Sequence, residues 1–267
     1  MKSFLKILLK YYLKYITKYV LMVHRPTIIA VAGSTNKTFV KDEINRRLRN
    51  RGLSVRSNPR SFNTEIGLPL AILNLPSGYN SFRGWLPIIK RAAWLLFQAD
   101  FPKYLVLELG VSDQGDMKYL LSIIRPDIAV ITDITQRYLE GFADMDELYD
   151  EYRLLAASLG GNNLLVLNHD NLRVRELAQI SAAPVLTFGK SDGATYQAVK
   201  IEKLPQGQKF TVARQGNSQA VAAAIPVFGD HHIYAGLAGF AIENYVAEKN
   251  KTAAAGLEPK KIRQPVV

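Results

Sequence analysis

Five short apolar runs separated by helix-forming stretches leave this chain few folds to adopt. They are Thr27–Ala32 (TIIAVA), Tyr104–Leu109 (YLVLEL), Ile128–Ile134 (IAVITDI), Asn163–Leu167 (NLLVL) and Val185–Phe188 (VLTF). A strand that does not alternate apolar with polar residues is buried on both faces, which happens in parallel sheets covered by helices on both sides. Helical patterns at Lys37–Arg51, Gly115–Ile124, Met145–Leu159 and near Leu172–Ile180 supply those covers. The pattern predicts a doubly wound α/β fold with a mostly parallel sheet. From Tyr196 to Phe228 the residues alternate between the turn signals Pro205-Gln206-Gly207 and Gln215-Gly216-Asn217, which predicts a small antiparallel edge. Gly229 opens a helix through Ala247, and Ala253 to Val267 reads as helix and then a loose tail.

Composition agrees with a globular core. Of 267 residues, 48% are hydrophobic and 21% charged, which excludes a disordered tail, a collagen and a coiled-coil rod. The absence of cysteine excludes a disulfide scaffold, thiol catalysis and any Cys-ligated zinc or iron–sulfur site. Lys+Arg number 34 against 23 Asp+Glu, a net charge of +11, which favours anionic partners: nucleotides, nucleic acid or lipid headgroups. The cations cluster at Arg46, Arg47, Arg49, Arg51, Arg56 and Arg60, and again at Lys249, Lys251, Lys260, Lys261 and Arg263.

The densest basic segment is residues 1–26, a basic amphipathic helix with Lys2, Lys6, Lys10, Lys14, Lys18 and Arg25 and no acid. Leu, Ile, Phe and Val residues share it with Tyr11, Tyr12, Tyr15 and Tyr19. A lysine on every turn opposes a membrane span, and there is no A-x-A cleavage site to mark a secretory signal. Residues 1–23 suit a helix lying in the plane of an anionic membrane surface. The alternative is a helix that packs its apolar side on the domain or on a second copy. His24-Arg25-Pro26 ends it.

Between the first strand and first helix lies A-V-A-G-S-T-N-K-T, Ala30 to Thr38, where a phosphate-binding loop belongs. Backbone N–H groups from Gly33, Ser34, Thr35 and Asn36 onward would cradle phosphates, Lys37 would reach the terminal ones, and Thr38 would hold magnesium. Relative to G-x-x-x-x-G-K-[ST], Val31 and Asn36 stand at the two glycine positions. Asn is the non-Gly residue best able to take a positive φ, so the loop can still form. The alternative is an ordinary strand–helix turn with a surface lysine.

Further landmarks follow in order. They are Asn63-Thr64-Glu65-Ile66-Gly67, Leu107-Glu108-Leu109-Gly110, Asp127 to Ile134 before Tyr138-Leu139-Glu140-Gly141-Phe142, Asn168-His169-Asp170, Thr187-Phe188-Gly189 and Gly229-Asp230-His231-His232. Their order and spacing over residues 27–255 resemble the central ATP-binding domain of the Mur ligase family, most closely the branch that adds D-alanyl-D-alanine to the UDP-muramoyl tripeptide. Residues 256–267 form a tail. The resemblance implies an ATP-dependent acid–amino acid ligase of peptidoglycan precursor synthesis, in which ATP phosphorylates a carboxylate and an amine then attacks the acyl phosphate. It implies ATP and magnesium as cofactors, and Lys37 and Glu108 as catalytic residues. Thr38 and Glu108 would be the metal ligands, and Asn63, Thr64 and Glu65 a substrate-side loop. Asn168, Asp170 and His231 would lie beside the nucleotide. The location it implies is cytoplasmic, with residues 1–23 making the chain peripheral at the inner face of the membrane.

Departures from the family pattern weaken the expected chemistry. Tyr138 stands where the family has a metal-binding histidine, and Tyr152 where it has a carbamylated lysine that bridges magnesium. A protonated phenol is a poor magnesium ligand. No carboxylate visibly replaces these ligands, although Asp133, Glu140 and Asp144 lie nearby in sequence. Family ligases also carry domains on either side of the central one, so turnover here is expected to be slow, or to need a second chain that positions the substrates. A non-catalytic nucleotide-binding scaffold at the inner membrane face is the alternative. A nucleic-acid binder is a third, prompted only by the arginine cluster and supported by no nucleic-acid motif.

Overall fold

The computed structural model describes residues 3–59, 62–78, 82–98, 100–136 and 141–256. Lys2, Arg60, Tyr138, Leu139, Glu140 and residues 257–267, with Lys260, Lys261 and Arg263, lie outside the described residues, as do the expectations that fall on them. In chain order the elements are α1 (Ser3–His24), β1 (Thr27–Ala32), α2 (Lys37–Asn50), β2 (Val55–Ser57), α3 (Gly67–Ile72) and α4 (Phe82–Trp94). Then come β3 (Tyr104–Glu108), α5 (Asp116–Leu121), β4 (Ile128–Ile131), α6 (Met145–Ala157), β5 (Leu164–Asn168), α7 (Leu172–Glu176) and β6 (Val185–Gly189). The last are β7 (Tyr196–Lys203), β8 (Gln208–Arg214), β9 (Asn217–Ile225) and α8 (Asp230–Ala254).

The nine strands form one sheet in the order β2-β3-β1-β4-β5-β6-β7-β8-β9. The pairs from β2 to β7 are parallel, and β8 and β9 add antiparallel hairpins, as the two sequence patterns predict. The period-2 alternation of a strand sorts β1 onto two faces. Ile28, Ala30 and Ala32 meet α3, α5, α6 and α7 through Leu68, Met117, Leu148, Leu155 and Val174. Ile29 and Val31 meet α2 and α8 through Val40, Ile44, Ile233 and Leu237. β1 sits between β3 and β4, and the chain leaves it first to one side and then to the other. Ligands bind at such a reversal, outside the carboxyl ends of the strands.

Three elements lie outside the sequence patterns above: β2 and α3, which are short, and α4, which runs 13 residues with Pro87 inside it. β4 is also shorter than the apolar run that encodes it. It ends at Ile131: Thr132 N still donates to Ala32 O, but the Thr132 hydroxyl and the Asp133 carboxylate turn to the loop after β1.

Of the readings open for the N-terminal helix, its apolar side packs on the domain. Leu9, Leu13 and Val20 are buried with Leu70 and Leu73 beside α3 and with Trp85, Ile88, Ala92 and Leu95 of α4 and the turn after it. Tyr12 donates its hydroxyl to Ile89 O at 2.8 Å, and Lys10 ion-pairs with Glu65. The arginine cluster is largely internal wiring. Arg46 and Arg47 bond to Glu43, Arg47 and Arg51 to Glu243 on α8, Arg49 to Val55 O and Arg56 to Ile72 O. Gly239 leaves the room that Arg47 occupies, since a Cβ there would meet the Arg47 side chain at 2.7 Å.

Leu13 is wholly buried. Leu13→Ala should lower the unfolding free energy by about 3 kcal/mol, the usual cost of a buried Leu→Ala cavity. The shift of the urea midpoint measures it.

Candidate functional site

The loop after β1 is held open by two positive-φ residues. Gly33 has φ 137°, and a Cβ on it would sit 2.1 Å from Thr132 Oγ1, so no other residue fits. Asn36 takes the left-handed conformation at φ 64°, as its place at the second glycine position requires, and caps α2 without a side-chain bond. Its amide instead donates to Asp133 Oδ2 at 2.9 Å. The first N–H groups of α2 have no carbonyl one turn back, which makes the loop mouth attractive to anions.

Asp133 is the anchor of this loop. Its Oδ2 also accepts from Thr35 Oγ1 at 3.1 Å, and its Oδ1 from Asn168 Nδ2 at 3.0 Å. Its carbonyl accepts from Ser34 N, and Thr132 Oγ1 bonds to Thr35 O at 2.6 Å. Burial pushes the Asp133 carboxyl above its ordinary pKa, while the three donors pull against that. In the sequence it reads as the tail of a strand, and nothing local marks its role. Asp144, the other described carboxylate near the lost ligands, instead caps α6 by accepting from Asp146 N and Glu147 N.

On the β3 side, Glu108 is buried at the strand end, as expected, and both its oxygens are engaged. Thr38 Oγ1 donates to Oε2 at 2.8 Å, and Asn63 Nδ2 donates to Oε1 at 2.9 Å. Asn58 grips the Glu108 backbone from both sides, accepting from its N–H and donating to its carbonyl. The Asn58 carbonyl in turn takes the ammonium of Lys41, which is buried. Asn63 lies so close to Gly110 that a Cβ there would approach its side chain to 2.8 Å. Lys37 folds back on the loop, donating to Gly33 O at 2.7 Å and Ser34 O at 3.4 Å. Burial lowers its pKa, and Glu108 partly restores it.

The remaining expected residues divide. Asn168 joins the loop through Asp133 and orders the next turn by accepting from Asp170 N. Asp170 accepts from Lys190 N, Ser191 N and the Tyr234 hydroxyl, so it closes the β6 turn. His231 stacks on Phe39 at 4.6 Å and on His232 at 4.1 Å, at the start of α8. The Thr64 carbonyl accepts from Leu68 N at the start of α3, and Glu65 is taken by Lys10 of α1.

Thr38 and Glu108 form a hydroxyl–carboxylate pair at a helix start. That donor set fits a magnesium ion whose other ligands are water and phosphate. Among the described residues no three His, Asp or Glu side chains converge as a metal cluster. Where the sequence resemblance expects a lysine as ligand to a further ion, Tyr152 is buried beside Ser34 of the loop. Burial pushes this phenol far above its ordinary pKa, so it is neutral and unsuited to bind a cation. The neighbouring Glu151 is equally committed, accepting from Gly115 N and Met117 N at the start of α5.

Asp133→Ala would leave buried donors from Thr35, Asn36 and Asn168 without an acceptor. A cost of about 1–3 kcal/mol in unfolding free energy is expected, together with weaker binding of nucleotide to the loosened loop. Urea unfolding and nucleotide calorimetry read the two effects.

Comparison with known proteins adds to this geometry. The Mur ligase middle domain family matches residues 89–242. The UDP-N-acetylmuramoyl-tripeptide–D-alanyl-D-alanine ligase of Buchnera aphidicola is 27% identical over 217 residues, covering 81% of this chain and 42% of the relative. The enzyme of the same name from Haemophilus influenzae is 26% identical over 239 residues, covering 87% and 46%. The chain thus spans less than half the length of these relatives. Among solved structures, MurF from Acinetobacter baumannii superposes with a TM-score of 0.71 at 19% identity, over 94% of this chain and 49% of that one. The Thermotoga maritima MurF ligase in complex with ADP gives 0.67 at 20% identity, over 93% and 50%. These structural likenesses establish the fold.

Proposed function

Because this chain belongs to the Mur ligase family through its middle domain, we propose that it binds ATP with magnesium at the loop after β1, as a MurF-like domain of peptidoglycan precursor synthesis whose ligase chemistry is weakened. The observation that carries this reading is the Thr38–Glu108–Asn63 chain of hydrogen bonds, set against the start of α2 beside Lys37. Phosphoryl transfer depends on positioning and on neutralising charge, and those are the tasks this arrangement suits.

Each residue then has a part. Gly33 keeps the loop backbone close to the sheet, so that the N–H groups at the start of α2 face the phosphates. Lys37 would exchange its loop carbonyls for phosphate oxygens, and the added negative charge would raise its depressed pKa. Thr38 and Glu108 would hold one magnesium, which supplies positive charge to the phosphates. Asn63 orients the Glu108 carboxylate.

The weakening rests on Tyr152. A neutral, buried phenol beside Ser34 stands where the family pattern has a cation-binding lysine, and Tyr138 stands where it has a histidine. That observation also favours a second reading, a nucleotide-binding scaffold without turnover, which shares the same ATP site.

Calorimetry of ATP against the full chain, with and without magnesium, tests the site. Magnesium-dependent binding that Lys37→Ala abolishes is the expected result, and Asn36→Gly should alter the affinity by releasing Asp133. Absence of binding at millimolar ATP would overturn the proposal. ATP hydrolysis in the presence of a dipeptide should be slow, and should rise when Tyr138→His and Tyr152→Lys are combined. Ligase-like turnover by the unaltered chain would refute the role given to the tyrosines.

A further inference from the structure

The inner face of α1 is consumed by packing, and its outer face is not polar. Leu8, Tyr11, Tyr15, Tyr19 and Met22 are each at least half exposed, Tyr15 at 61%. At 100° per residue they occupy an arc of about 80° opposite Leu9, Leu13 and Val20. α4 lies alongside, joined by the Tyr12–Ile89 bond and by His24 Nε2 at 3.2 Å from Leu95 O. Its outer side and the turn that follows expose Leu86, Trp94 at 67% and Phe97 at 82%. A run of exposed aromatic and aliphatic side chains over two neighbouring helices marks an interaction surface.

Charge decides what covers it. Neither helix contains an acidic residue. Lys18 is exposed about 20° beyond the edge of this arc of α1, and Lys90 and Arg91 are exposed on α4. Lys10 and Lys14 lie over the Tyr119 ring on the flank and are excluded from this count. A second copy docked by a two-fold axis would bring cations against cations. Tyrosine and tryptophan with polar tips and apolar bodies, beside lysines able to extend along apolar surface, suit the boundary between lipid headgroups and chains. Among the described residues no helix is long and apolar enough to cross a membrane.

We propose that the outer faces of α1 and α4 together dock the domain on an anionic lipid bilayer, with Trp94 and Phe97 entering the interface and Lys18, Lys90 and Arg91 facing the headgroups. The docking face is the side of α1 that the fold leaves free, extended by α4, rather than the Leu9–Leu13–Val20 stripe that the helix alone would offer.

The test uses the full chain and vesicles of phosphatidylcholine, with and without phosphatidylglycerol. Co-sedimentation with the anionic vesicles is expected, weakening as salt rises. The protein has two tryptophans, and Trp85 is 5% exposed. The fluorescence blue shift on binding should therefore come from Trp94 and vanish in Trp94→Ser. Lys18→Ala should weaken partitioning about fivefold, and so should Lys90→Ala, as for any basic residue near an anionic surface. Tyr15→Ser with Phe97→Ser should reduce binding while the urea midpoint stays put, because both side chains are exposed. Lys37→Ala should leave vesicle binding unchanged, which separates this proposal from the nucleotide site. Failure to sediment with anionic vesicles, or equal binding to neutral ones, would overturn it. So would a concentration-dependent dimer that Tyr15→Ser with Phe97→Ser dissolves without affecting vesicle binding.

Discussion

One carboxylate ties the site to the sheet. Asp133 accepts from Thr35, from Asn36 and from Asn168, so the loop after β1 and the end of β5 are fastened to a residue just past β4. The loop needs that fastening. Gly33 and Asn36 both hold positive φ, and such a backbone persists only where its surroundings over-determine it. Thr132 adds a second bond to Thr35 O, which is why β4 stops at Ile131 although apolar character runs on to Ile134.

A second fastening holds the other side of the loop. Asn58 clamps the backbone of Glu108, Lys41 satisfies the Asn58 carbonyl, and Asn63 and Thr38 take the two carboxylate oxygens. Glu108 is thereby oriented before any ligand arrives, and a pre-oriented carboxylate costs no reorganisation when charge is placed beside it. Tyr152 of α6 sets an uncharged, buried group beside Ser34 of the loop. The site therefore has a carboxylate side held by several hydrogen bonds and, at Tyr152, an uncharged side. This asymmetry follows from particular side chains and is independent of how much more chain the relatives have.

The outer helices show the same division between packing and surface. α1 gives its Leu9, Leu13 and Val20 stripe to α3 and α4, which converts a helix amphipathic in one sense into a platform amphipathic in another. Most of the arginines of α2 that swell the basic charge are committed to Glu43, Glu243 and backbone carbonyls. The uncommitted cations include Lys18 on α1 and Lys90 and Arg91 on α4, so the effective positive field of this basic chain is placed differently from the count in its sequence.

The parallel sheet, the antiparallel edge, the place of the loop after β1 and the left-handed turn at Asn36 are legible in the sequence alone. Those depend on hydrophobic period, on chain order and on the φ/ψ preference of single residues, all local quantities. That Thr38 and Glu108 belong together is expected only from the family resemblance, and their direct hydrogen bond is a tertiary contact. The anchoring role of Asp133, the pairing of Glu65 with Lys10 and of Arg47 and Arg51 with Glu243, and the outward turn of Tyr11, Tyr15 and Tyr19 on α1 depend on tertiary packing. Each of those outcomes is a contact between groups far apart along the chain, such as the 98 residues from Thr35 to Asp133. Local periodicity carries no record of which distant partner a polar side chain meets once the sheet has brought the strand ends together.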